Sequence, residues 1–154
     1  METSNKLMDE QFYVMEQFAS FGKGTKVRCI FYDDRIEFRA SGKDAPAAKL
    51  MYRHIMEVYY GTKTELKQVN KSPLARAMIG SLLYGKTGAM AGIASSMQGK
   101  KSKQVIVRGL IIGYNGHDMK EHFIALQTKD PHAGQKAEEL IRARINNPPK
   151  NLKT

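Results

Sequence analysis

Residues 80–87, Gly80-Ser-Leu-Leu-Tyr-Gly85-Lys86-Thr87, spell the phosphate-loop pattern G-x-x-x-x-G-K-[ST]. That pattern does chemistry when a buried strand delivers a flexible loop whose amides wrap phosphates before a helix begins. Here the four intervening residues are an apolar run of helical character, and the preceding KSPLARAM is no parallel-sheet strand. No apolar strand downstream ends in a magnesium-binding Asp. CIFYD has that form but lies upstream, inside an expected hairpin. Nucleotide hydrolysis is therefore the least favoured function for this stretch.

His117-Asp118 and Glu121-His122 invite a metal reading, but the zincin patterns are H-E-x-x-H or H-x-x-E-H. This cluster reads H-x-x-x-E-H, one residue out of register. On a strand, Glu121 and His122 would also point to opposite faces. A solvated turn and strand account for them. His54 and His132 stand alone in the sequence. Cys29 falls on the Val27/Phe31 face of an expected strand, where it reads as a small core residue rather than a nucleophile. No catalytic, cofactor or metal residue is assigned, and no small-molecule substrate is expected.

The 154 residues make about one domain, and 42% hydrophobic with 26% charged residues is the composition of a globular chain. The single cysteine and the absence of an apolar leader predict a cytoplasmic protein. Its formal charge of +10 predicts an anionic partner. The excess is concentrated: residues 49–103 carry 10 Lys and Arg against only Glu57 and Glu65.

Elements follow from periodicity. Met8, Phe12, Met15 and Ala19 recur at helical spacing and predict a helix over 5–21, ended by Gly22 and Gly24. Val27, Cys29 and Phe31, then Ile36 and Phe38, alternate around Asp33-Asp34 and predict a hairpin. Residues 41–48 read as a loop and 49–69 as two or three short strands broken at Gly61. Residues 104–112 and 119–127 read as strands joined by a tight primed turn at Asn115-Gly116. Asp130 as N-cap and Pro131 as first residue open a last helix, with Ala137, Leu140, Ile141 and Ile145 buried and Pro148-Pro149 stopping it.

The runs KVRCIFYDDRIEFRA, KLMYRHIMEVYYGTKTELK and LIIGYNGHDMKEHFIALQT, followed by QKAEELIRARI, resemble a bacterial pleckstrin-homology-like (PH-like) domain. The resemblance covers about two-thirds of the chain and rests on pattern and order. It implies an α+β fold: a bent antiparallel sheet or partly open barrel with a capping C-terminal helix. Residues 25–71 and 100–147 would form that domain, with 1–24 an N-terminal helix, 72–99 an insertion and 148–154 a tail.

The insertion, SPLARAMIGSLLYGKTGAMAGIASSMQG, is glycine-rich and apolar. Lys86 would lie near mid-bilayer if it spanned a membrane, where a lysine costs roughly 2.5–3.5 kcal/mol. Two short helices, 74–84 and 89–97, joined at 85–88, fit better. Ala77, Gly80, Leu83, Gly88, Gly92 and Ile93 would form its contact face, since small residues allow close helix approach. Such glycine-zipper hairpins recur in bacterial relatives, as the resemblance implies. Lys63, Lys67, Lys71, Arg76, Lys86, Lys100, Lys101 and Lys103 would supply the anion-binding surface. The expected function is a non-enzymatic binding and assembly module. It would engage a membrane surface or acidic protein, peripheral to the inner face of the membrane, and self-associate. The rival is nucleic-acid or nucleic-acid-enzyme binding, with Tyr59, Tyr60 and Tyr114 available to stack on bases.

Overall fold

The computed structural model describes residues 5–40, 42, 47–68, 72–84 and 108–146. Seven strands are β1 (Lys6–Val14), β2 (Lys26–Tyr32), β3 (Arg35–Ala40), β4 (Ala48–Met51), β5 (Ile55–Thr62), β6 (Arg108–Asn115) and β7 (Glu121–Thr128). They form one antiparallel sheet in the order β4-β3-β2-β1-β7-β6-β5. Helices α1 (Lys63–Gln68) and α2 (Pro73–Tyr84) follow β5, and α3 (Pro131–Asn146) closes the described chain.

The connectivity forces curvature. Six strand spacings of about 4.8 Å would hold the outer strands of a flat sheet about 29 Å apart. Yet a single turn, Tyr52–His54, joins edge strand β4 to edge strand β5. The four Cα steps across it reach at most about 14 Å. The sheet must curl without closing, and its inner face makes one core from Leu50 on β4 to Val58 on β5. Ala133, Ala137 and Ile141 of α3 are buried against it, while Leu140 and Ile145 of the expected stripe are half-buried. Asp130 Oδ1 accepts the His132 amide at 2.9 Å, and Pro131 takes the first helical position.

The expected N-terminal helix is wrong. Lys6–Val14 is the central strand, paired with β2 along its length and with β7 at Tyr13 and Val14. Met8 and Phe12, four residues apart, satisfy a helical and an alternating period equally, so they cannot distinguish them. The alternation is carried by Phe12 and Val14 on the inner face, whereas Met15 belongs to a second core on the other side. Gly24, at φ +84°, turns the chain into β2 instead of ending a helix.

Two smaller expectations also fail. Lys63–Gln68 is helical where a strand is expected, and the signal lies in Thr62-x-x-Glu65, a capping box. The Thr62 amide donates to Glu65 Oε1 at 2.7 Å, and the Glu65 amide donates to Thr62 Oγ1 at 3.2 Å. Asn115-Gly116 is not a primed turn. Asn115 pairs with Glu121, and the left-handed residue of the connection is Met119, at φ +64°. β6 itself is described from Arg108 and runs on to Asn115, three residues past the end expected at 112.

Candidate functional site

Helix α2 is the described part of the insertion, and its N-terminus meets polar side chains of the sheet. Ala75 and Ile79 lie one helical turn apart and are both buried, Ile79 packing with Leu66 of α1 on Met15, Ile111 and Ala125. Ser72 is the N-cap: its Oγ accepts the Ala75 amide at 3.1 Å. The same hydroxyl donates to Glu57 Oε2 at 2.9 Å, and Tyr59 Oη donates to Glu57 Oε1 at 2.5 Å. Glu57 also hydrogen-bonds Glu121, which stands opposite Asn115 on the same face. Burial raises the Glu57 carboxyl, but hydrogen bonds from Glu121, Tyr59 and Ser72 outweigh it and hold it below the usual range. The hydrogen bond to Glu57, with burial behind it, raises Glu121.

The predicted contact and basic residues fare unevenly. Arg76 and Ala77 are exposed on α2, away from its buried stripe, and Gly80 is half-buried on the same helix. Leu83 belongs to α2, and Lys63 and Lys67 to α1. Lys71, Lys86, Gly88, Gly92, Ile93, Lys100, Lys101 and Lys103 lie outside the described residues, as do the helix expected over 89–97 and the strand start over 104–107. Elsewhere three arginines are engaged within the fold. Arg28 donates to Asp9 at 2.8 Å, and Arg35 and Arg39 clasp the buried Glu37 at 2.8 Å each.

Gly80 to Tyr84 form the last turns of α2, so the first glycine of the phosphate-loop look-alike sits mid-helix rather than in a loop. The three tyrosines make no common stacking platform. Tyr59 faces the outer core, Tyr60 Oη donates to Pro131 O at 3.1 Å, and the Tyr114 ring stacks on His122 at 5.5 Å. Cys29 is fully buried, and burial pushes its thiol well above the usual range.

His54, His117 and His122 line a groove of about 780 Å³ with Lys49, Tyr114 and Met119, between β4 and the β6–β7 turn. His122 Nε2 lies 3.0 Å from Asp118 Oδ1, and that contact, with the Lys120 amide, holds the Asp118 carboxyl below its usual value. Among the described residues no group of three or more His, Cys, Asp or Glu could hold a metal. Met119 is 88% exposed in a left-handed conformation, which costs a non-glycine residue roughly 1–2 kcal/mol. Met119→Gly should therefore raise stability by about 1 kcal/mol, read as a higher urea midpoint with unchanged slope.

No family model, curated protein or solved structure matches this chain. Among the described residues, no helix is long and apolar enough to cross a membrane.

Proposed function

We propose that the protein is a non-enzymatic binding and assembly module, a PH-like scaffold that presents a basic, glycine-rich insertion to an anionic membrane surface. The observation that carries this is the seat of α2. The first helix of the insertion is fixed to the sheet through Ala75, Ile79 and Ser72, while Arg76 and Ala77 on its other side face solvent. A strand order of β4-β3-β2-β1-β7-β6-β5, the forced curl and the helix against the inner face support the PH-like likeness. Self-association through the small residues of the insertion, and a cytoplasmic site at the inner membrane face, belong to the same proposal.

The charge distribution supports an anionic target, since residues 49–103 hold 10 Lys and Arg and two acids. Each basic residue near an anionic bilayer contributes about 1 kcal/mol. Co-sedimentation with phosphatidylserine vesicles across a salt series tests the proposal, beside single-stranded and duplex nucleic acid. Binding to vesicles should weaken steeply with salt as exposed charges are screened. K100E/K101E/K103E should lose at least a hundredfold in affinity. Its melting temperature should move by no more than about 4 °C, because exposed charges contribute little to stability. Preferential binding to nucleic acid would instead favour the rival partner, and unchanged vesicle binding by the triple variant would overturn the role of these lysines.

A further inference from the structure

Glu57 on β5 stands opposite Gly113 of β6, and Glu121 on β7 stands opposite Asn115, two residues on and on the same face of the sheet. A Cβ at position 113 would lie 2.8 Å from Glu57 Cγ and 2.9 Å from the Phe123 ring, so glycine is what lets Glu57 lie flat on the sheet. Two carboxylates have only acceptors to offer each other, so their hydrogen bond requires one proton between them. Tyr59 and Ser72 both donate to Glu57, whereas the buried Oε2 of Glu121 meets no donor among the described residues. The donors therefore place the charge on Glu57 and the proton on Glu121. That charge lies at the N-terminus of a twelve-residue helix, where the helix dipole also favours an anion.

We propose that Glu57 and Glu121 form a proton-operated clasp: ionised Glu57 holds Ser72, and with it α2 and the start of the insertion, onto the sheet, while Glu121 stores the shared proton. Acid or substitution that removes the Glu57 charge releases the start of α2. Among the described residues, few other titratable groups face the pair. Tyr59 is its neighbour on β5. Arg142 of α3 reaches the edge of β5, donates to Val58 O at 2.8 Å and pairs with Glu138. On this side β6 offers only Gly113 and Asn115 by alternation, and α2 carries Arg76, which is exposed. His122 sits on the opposite face, engaged with Asp118.

The sign follows from the two shifts. The Glu57 carboxyl is depressed in the fold, so its contribution is present above the free-glutamate value, about 4.3, and is lost as pH falls through the folded value. Glu121 is raised, so its contribution is complete below about 4.3 and is lost as pH rises through its folded value. Seating of α2 follows the first limb, because the Ser72 hydroxyl donates to Glu57 rather than to Glu121. Global stability follows both.

Amide hydrogen exchange at Ala75 and Arg76, with α3 as internal reference, tests the clasp in the full-length protein. E57Q should speed exchange at both positions about tenfold at neutral pH, the scale of one lost hydrogen bond to a charged group, and leave α3 unchanged. E121Q should keep wild-type exchange there and remove the loss of stability on the alkaline side. Wild-type exchange at the start of α2 in E57Q would overturn the proposal. If E57Q does not fold, S72A serves instead. Removing the donor should raise the Glu57 titration midpoint, read by carboxyl carbon-13 shifts, and an unmoved midpoint would overturn the clasp. What the clasp does to partner binding rests on the proposed function. The exchange and titration readouts do not, and so can fail independently of it.

Discussion

Phe12→Ala should cost about 3–5 kcal/mol of folding stability, the usual penalty for deleting a buried aromatic side chain. Against a typical margin of about 5–15 kcal/mol for a domain, that is enough to leave much of the population unfolded at physiological temperature. The size of the effect comes from where β1 lies. It is the one strand joining β4-β3-β2 to β7-β6-β5, and Phe12 is completely buried where it pairs with Val27 of β2. The junction with β7 is short, with strand pairing at Tyr13 and Val14 and a bond from the Met15 amide to Ala125 O at 2.8 Å. Loosening the strand at Phe12 therefore loosens both halves of the sheet together. Urea denaturation measures this directly. A penalty below about 1 kcal/mol would mean that residues 5–21 are an appendage and that the central strand is misplaced.

The contrast between β1 and the rest shows what the sequence makes legible. The β2–β3 hairpin follows from strict alternation around Asp33-Asp34, and α3 follows from its cap, its proline and its Ala137/Ile141 stripe. Each has one period that fits and another that fails. At β1 the decisive residues fit both periods, and Glu10, Gln11 and Gln17 add helical propensity that strand pairing overrides. The helical start at Thr62 carries a local signal in Thr62-x-x-Glu65 that the surrounding strand-like run hides, whereas α2, expected from residue 74, begins one residue earlier at Pro73 behind its Ser72 cap.

The carboxyl pair is a different case. Glu57 and Glu121 are far apart in the chain, and sequence spacing directs notice to His117, Asp118 and His122 instead. Only the register on β6, with Glu57 opposite Gly113 and Glu121 opposite Asn115, brings the two to one face. The glycines that permit it, and the one at 134 beneath the Tyr60 ring, are spent on close approach rather than on turns. The basic excess and the apolar insertion are plain in composition, but composition does not fix which side of a helix meets the sheet. That is decided by Ala75 and Ile79, and it changes how the insertion can be removed. A deletion beginning at residue 74 would uncover Met15, Ile111 and Ala125. At about 25 cal/mol per Å² of apolar surface, the loss would obscure any effect on binding.

The cleaner excision keeps α2 and replaces residues 85–107 with a flexible Gly/Ser linker of the same length. The sheet, α3 and the seat of α2 all remain. Vesicle co-sedimentation of this variant, beside its thermal unfolding, tests the proposed division of labour most directly. The prediction is a cooperatively folded protein with near-native melting temperature that no longer sediments with phosphatidylserine vesicles at any salt concentration. A folded variant that binds those vesicles with wild-type affinity and salt dependence would contradict the account.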